Sequence, residues 1–469
     1  MQQISLFDGD NPLKIDKPIR LIQLFAGYGS QALALKYLGV PYEDYKISEW
    51  AVKSIQAYKD LHFGEDNTDY SKGITKDEIT AYLCDRGISA DYNQPMTYEQ
   101  IKRLSEDKQR QIYNNIIATH NLVSVCNAKG KDFEITDTDK YCYIMTYSFP
   151  CQDLSSAGLG KGMGRDSGTR SGLLWEVERI LKELHADNKP LPQVLLMENV
   201  PEVIGKKNIK HFADWVAVLD KLGYKSKWQL LNGKDFVIPQ NRNRCFMVSI
   251  LGDYYYEFPQ PKPLKLRLKD MLEDNVDEKY YLSNKTIDMF VKHTEKKQAE
   301  VKVMEEPIIY DDYNGRIKAD QSVIGTLTTN CGNDAERNGV KIIEPTYELS
   351  PQMKRYIVAG DDKYKVSENN LKLNRDIACA KTTREGSTRA DTSDYISPDK
   401  EDNCQLKMGE DLTQYRIRKL TPKECGRLMG VKDEDIDKIA TNQSNSSQYH
   451  LYGDSIIVDV LMSIFKKML

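Results

Sequence analysis

Four stretches of the chain set reactive side chains against apolar runs. "TYSFPCQDLSSAG" (146–158) puts Cys151 behind Pro150 where an apolar run ends, ahead of a loop with glycines at 158, 160, 162, 164, 168 and 172. A cysteine there is either a buried, inert filler or a nucleophile at the carboxyl end of a strand, where open α/β sheets place their chemistry. "LLMENVPEV" puts Glu198 behind four apolar residues. Either it simply ends a strand in solvent, or burial raises its pKa and lets it carry a proton near neutrality. "PQNRNRCFMVSI" spaces Arg242 and Arg244 two apart. In extended chain they share a side, as two solvated residues or as a pair suited to an anionic or carbonyl-rich ligand. In "LFAGYGSQAL" a glycine turn is followed, 20 residues beyond Gly29, by Glu49. Such a turn lets a ligand approach the backbone, and such an acid can take both ribose hydroxyls, although a turn that merely connects strand to helix reads the same way. The G-x-G-x-x-G pattern is absent, because Ser30, Gln31 and Ala32 follow Gly29. A nucleoside with a small polar tail therefore fits better than a pyrophosphate.

The elements that must position these residues alternate. "IRLIQLF" (19–25), the glycine turn and "QALALKYLG" read as strand, turn and a helix closed by Gly39. "YKISEW" (45–50) and "AVKSIQAYKDLHF" repeat the unit, as a parallel, doubly wound sheet begins. Charged, tyrosine-rich sequence at 60–120 reads as a helical insertion. The rhythm resumes with "NLVSV", "CYIMTY" (142–147), the helix "GLLWEVERILKELH", "QVLLMENV" (193–200), a helix at 208–222 and the strand "CFMVSI" (245–250). The character changes between about 255 and 415, where charge, Asn, Thr and Ser are frequent and helical periodicity is weak. "RKLTPKECGRLMG" (418–430) is signed as a helix by Thr421 as N-cap, Pro422, the capping-box Glu424 and Gly430. A last helix, about 453–469, puts Ile457, Val460, Leu461, Ile464 and Phe465 on one face, which is expected to dock on the first domain.

Composition narrows the classes. The 469 residues suffice for two or three domains. With 66 basic and 70 acidic residues the net charge is -4, so any nucleic-acid surface must be local. Nine scattered cysteines without a CxxC pair fit a reducing, cytoplasmic setting and disfavour zinc. No apolar run approaches the roughly 18 residues that span a bilayer, and no membrane partner is expected.

In this order, "LFAGYGS", Glu49-Trp50, "SFPCQ", "TRSGLLWEVERIL", "MENV", "QNRNR", "RKLTPKECGRLMG" and "YGDSIIVDVL" resemble the DNA (cytosine-5)-methyltransferases of bacterial and phage modification systems. The resemblance spans about 19–50, 142–250 and 418–469. It implies a Rossmann-like, S-adenosyl-L-methionine-dependent catalytic domain over 1–255, a smaller irregular target-recognition domain over 256–417, and a return segment over 418–469. It also implies double-stranded DNA as partner, a monomer, and room for a cognate restriction endonuclease in the same system.

The resemblance further implies roles. Phe25 and Trp50 would pack around the cofactor's adenine, Gly27 and Gly29 would lie beside its methionine, Glu49 would hold the ribose, and Ala26 would also bind the cofactor. Pro150, Leu173, Asp454 and Ser455 match positions near the cofactor. Cys151 would add to C6 of a flipped-out cytosine, Glu198 would hold N3 and the exocyclic amine, Arg244 would hold O2, and Arg242 would steady the loop or a phosphate. Phe149, Gln152, Ser155, Thr326 and Leu327 would face substrate or DNA. The third cofactor element falls on Ser124 or Asp132. Gln23 and Ser30 depart from the family's Asp and Gly, and "GDS" replaces "GNS", so Asp454 turns an amide into a charge. A tRNA cytosine-5 enzyme is the nearest rival, and the long polar segment favours DNA. A catalytically silent DNA-binding relative fits poorly with retention of Cys151, Glu198 and Arg244 together, and a Rossmann oxidoreductase would need the missing pyrophosphate cradle.

Overall fold

The computed structural model describes residues 11–150, 154, 162–165, 170–282, 309–311, 316–318, 323–325, 327, 340–345 and 415–469. Apolar residues run nearly unbroken along β1 (Ile19–Leu24), β3 (Cys142–Tyr147), β4 (Val194–Asn199) and β7 (Asn243–Leu251), and because successive side chains point to opposite faces each strand buries both. Leu21, Ile144, Leu196 and Val248 enter one core, while Ile22, Met145, Leu195 and Met247 enter the other. With β2 (Tyr42–Ser48) and β5 (Tyr224–Asn232) these strands form one sheet in the order β2-β1-β3-β4-β7-β5. The β2-β1-β3-β4 ladder is parallel, and β7 runs antiparallel to both β4 and β5.

Helices cover both faces. On the first, α1 (Ser30–Leu38) packs along the C-terminal helix, and residues of α2 (Val52–His62) join the same core. Three helices fill the expected insertion: α3 (Lys76–Arg86), α4 (Tyr98–Lys102) and α5 (Glu106–Ala118), each started by a Thr or Ser N-cap. The second face carries α6 (Leu174–Ala186) and α7 (Ile209–Lys221), whose Leu174, Val177, Ile180, Leu181, Leu184, Phe212 and Trp215 are buried. This is the expected doubly wound α/β sheet. Chain order runs outward from β1 to β2 on one side and from β3 to β4 on the other. The crevice at the carboxyl ends of β1 and β3 is therefore the topological switch point.

Three expectations change. "NLVSV" forms no strand; it touches the edge strand through one bridge, Ile47 to Asn121, and Val123 takes a positive φ of 67°. β5 was not marked by its sequence, because as an edge strand with Lys225 and Lys227 it exposes much of its length. The terminal helix starts later than expected: α11 spans Val458–Phe465, and Asp454–Ile457 separate it from the preceding α10 (Asn445–Gly453). Upstream of them lie α8 (Pro422–Arg427), with the expected Thr421–Glu424 capping box, and α9 (Asp433–Ala440).

The polar segment contributes strands as well as irregular chain. Antiparallel β8 (Ile309–Asp311), β9 (Arg316–Lys318), β11 (Val340–Pro345) and β12 (Tyr415–Lys419) form a four-stranded sheet in the order β12-β11-β8-β9. β10 (Ile324–Gly325) pairs in parallel with β6 (Gln240–Asn241), beside the arginines of "QNRNR". Among the described residues no helix is long and apolar enough to cross a membrane.

Candidate active site

Where β1 and β2 end, the chain turns sharply. Phe25 adopts a positive φ of 58°, rare for an aromatic residue, and its N–H donates to Ser48 O at 2.8 Å. The two glycines that follow do different work. A Cβ on Gly27 (φ 57°) would meet nothing within 4 Å, so this residue opens onto the cleft. One on Gly29 (φ 85°) would lie 2.4 Å from His62 Nε2 and 2.6 Å from the Tyr58 ring. Gly29 is thus required for packing of the turn on α2, and it does not line the cleft as expected. Beneath the turn a buried relay holds it: Gln23 Nε2 donates to Tyr58 OH, which donates to Asp44, while His62 Nε2 contacts Tyr28 O at 3.0 Å.

Glu49, 7 % exposed, follows β2. Its carboxylate accepts from the N–H of Gly27 and of Ala51, both at 2.8 Å. Asn121 clamps its backbone from both sides, accepting the Glu49 N–H at 3.1 Å and donating to Glu49 O at 2.9 Å. Burial pushes the Glu49 carboxyl up to about 7 against these backbone hydrogen bonds, with Asp454 adding to the rise.

The second group stands on β3, β4 and β7. Tyr147 pairs with Met197, so Glu198, still paired with Phe246 of β7, lies level with Ser148, three residues before Cys151. Glu198 is buried, and its Oε1 lies 3.2 Å from Arg244 Nε. Burial raises its pKa, while Arg244 and then Arg242 oppose the rise. The chain leading to Cys151 is pinned at consecutive carbonyls: Asn199 Nδ2 donates to Phe149 O at 2.9 Å and Ser171 Oγ to Pro150 O at 2.8 Å. Cys151, Gln152, Ser155 and Thr326 lie outside the described residues.

Arg242 and Arg244 both reach the cleft but differ in use. The terminal nitrogens of Arg242 donate to three backbone carbonyls, Leu327 O at 3.0 Å, Gly453 O at 2.9 Å and Ser455 O at 2.7 Å. It is a strut that steadies chain on both sides of the cleft. Leu327, expected to face substrate or DNA, lines the cleft while packing against the main core at 1 % exposure, and its N–H is held by Gln240 Oε1 at 3.1 Å.

These residues surround one cleft of about 480 Å³, within the range of small-ligand sites. Phe25, Ala26, Gly27, Glu49, Trp50, Phe149, Pro150, Leu173, Asp454 and Ser455 line it as the sequence suggested. Of the two residues considered for the third cofactor element, Ser124 lines the cleft, whereas Asp132 Oδ2 accepts the Lys129 N–H at 2.9 Å in a separate turn. Ser455 Oγ hydrogen-bonds Ser30 Oγ, so the serine that departs from the family's glycine meets the C-terminal segment. The Asp454 side chain is about half exposed, but to the cleft; burial among protein atoms raises its pKa against His450 and the surrounding arginines. Sequence reasoning missed Asn121, Asn199, Ser171, Tyr92 and His450. Only Asn199, beside Glu198 at a strand end, carried a local signal.

The description C-5 cytosine-specific DNA methylase matches residues 97–469. The type II methyltransferase M2.ScrFI of Lactococcus lactis subsp. cremoris is 31% identical over 454 residues, spanning 96% of this chain and 99% of that protein. The orphan methyltransferase M.SssI of Spiroplasma monobiae is 37% identical over 273 residues, 57% of this chain and 68% of its own. Among solved structures, S. pombe Dnmt2 methyltransferase shares the fold with a TM-score of 0.52 at 16% identity, covering 96% of this chain and 98% of that one. The Entamoeba histolytica methyltransferase EhMeth does so with a TM-score of 0.54 at 13% identity, over 96% and 98%.

Proposed function

The chain belongs to the C-5 cytosine-specific DNA methylases, which place a methyl group on C5 of cytosine in DNA, and on that premise we propose which of its residues do so. The cleft takes S-adenosylmethionine, which when bound supplies a methyl group on a sulfonium. Its residues fit that group. The Gly27 and Ala51 N–H groups use one lone pair on each Glu49 oxygen, which leaves a second on each for the two ribose hydroxyls. Gly27 leaves open space for the methionine end, and Phe25, Trp50 and Ser124 offer surface to the adenosine.

Cys151 is the nucleophile. Its thiolate forms a bond to C6 of a flipped-out cytosine, which breaks the C5–C6 π bond and makes C5 electron-rich while charge moves onto N3. Glu198, whose carboxyl burial raises above its ordinary range, donates a proton at N3, and Arg244 holds O2. C5 accepts the methyl and gives its proton to a base; the thiolate then leaves as the C5–C6 double bond re-forms, and N3 returns its proton to Glu198. Residues 256–417 carry target recognition, being extensive enough to enter a major groove.

The observation that carries this reading is the buried Glu198–Arg244 pair at the cleft, level with the strand exit that leads to Cys151. Cys151→Ser should abolish incorporation of labelled methyl into duplex DNA while DNA binding in a gel shift persists; full turnover by this variant sinks the mechanism. Competition between duplex DNA and tRNA for the same enzyme separates the two substrate classes.

A further inference from the structure

The helical insertion reaches the cleft at one point, the loop between α3 and α4. This loop is anchored beside Trp50: the Ser89 N–H donates to Trp50 O at 2.8 Å, and the Val52 N–H to Ser89 O at 2.9 Å. From it Tyr92 projects into the cleft wall. Its ring lies on His450 of α10, with centroids 4.1 Å apart and planes inclined by 23°. Ser54 Oγ of α2 donates to its hydroxyl at 3.3 Å. The next residue, Asn93, accepts from Arg170 Nη1 at 2.7 Å, which ties the loop to the turn entering α6.

We propose that the Tyr92–His450 stack is a wall of the cofactor cleft that the cofactor must pass, so that this pair sets how fast it enters and leaves. The inference rests on the reading of the cleft as the S-adenosylmethionine site. Three observations support it. Tyr92 has a positive φ of 63°, costly for a bulky residue, so the surroundings hold this ring in place against its backbone preference. The stack joins two segments far apart in sequence, both of which line the cleft together with Glu49 and Asp454. Burial, with those two carboxylates adding, raises the Tyr92 hydroxyl above its ordinary range, so this ring stays un-ionised in the working pH range.

An offset aromatic pair is worth enough to change an opening rate by about three- to tenfold when it is lost. The test uses the full chain and S-adenosylmethionine itself. Dissociation is followed by stopped-flow fluorescence with excess S-adenosylhomocysteine as the trap, affinity by calorimetry, and folding by a thermal melt. Tyr92→Ala should release cofactor about three- to tenfold faster, and KM for cofactor should rise more than kcat falls. Tyr92→Phe, which keeps the ring, should restore most of the slow release, and His450→Ala should speed release as Tyr92→Ala does. A folded Tyr92→Ala that releases at the wild-type rate overturns the inference. So does a Tyr92→Phe as fast as the alanine variant, because the hydroxyl and not the stack would then be responsible. Should Tyr92→Ala fail to fold, His450→Ala decides by the same readout. Absence of cofactor binding by the wild-type chain removes the reading of the cleft and the inference together.

Discussion

Glu49 should make cofactor affinity depend on pH near neutrality. In the cofactor-free chain burial holds its carboxyl at about 7, well above the ordinary 4.5. Two backbone N–H groups already donate to it, so only the ionised form has acceptors left for two ribose hydroxyls. Proton and cofactor therefore compete, and affinity is present in full above the folded pKa and lost as the pH falls through it. With a pKa of about 7 the group is about nine-tenths ionised at pH 8 and about one-tenth at pH 6, so the dissociation constant should weaken about tenfold between them. The linkage to folding has the opposite sense. Between 4.5 and about 7 the folded chain holds this proton and the unfolded chain does not, so the group's contribution to stability declines as the pH rises through that window. Calorimetric titration of S-adenosylmethionine from pH 6 to 8 measures the affinity, and buffers of different ionisation enthalpy report the proton released on binding. Glu49→Gln should bind more weakly and with a flat profile. An affinity independent of pH in the wild type refutes the reasoning. The same slope in Glu49→Gln would also refute it, and would move the titration to Asp454 or Glu198, whose carboxyls burial also raises.

Asn199→Ala removes the donor to Phe149 O in buried surroundings, a loss of about 1–3 kcal/mol of local order at the exit leading to Cys151. Steady-state kcat should fall about tenfold or more while the calorimetric affinity for cofactor changes little; an unchanged kcat would show that the exit needs no such pin. Arg418 and Glu424, both fully buried, form a two-pronged pair at 2.8 and 2.9 Å where β12 runs into α8. Arg418→Met should cost about 3–5 kcal/mol in urea unfolding because it strands the Glu424 charge, and adding Glu424→Leu should recover part of that loss.

The parts of the fold that were readable depend on a residue's own neighbours in the chain. Short unbroken apolar runs marked β1, β3, β4 and β7; a helical stripe marked α6; Thr421 and Glu424 marked the start of α8. What was not readable depends on partners elsewhere. An edge strand such as β5 buries too little to print a pattern. The start of the last helix was not readable because the expected stripe begins at Ile457, which is buried as the residue before α11 just as it would be inside a helix. Gly29 looked like a ligand-facing glycine, yet the atoms that forbid a side chain there belong to α2, some thirty residues on.

Arg242 and Arg244 show where the division falls within the site itself. Strand geometry correctly put both at one cleft, since it needs only their spacing. It could not say that one would meet a carboxylate on β4 while the other would meet the carbonyls of Gly453 and Ser455, because both partners arrive by tertiary folding. The consequence is functional. By anchoring the break between α10 and α11, Arg242 holds Asp454 and Ser455 at the cleft, and Ser455 in turn meets Ser30 at the start of α1. The C-terminal segment is thereby part of the wall facing the glycine turn, so the cleft is complete only when residues more than four hundred positions apart have come together.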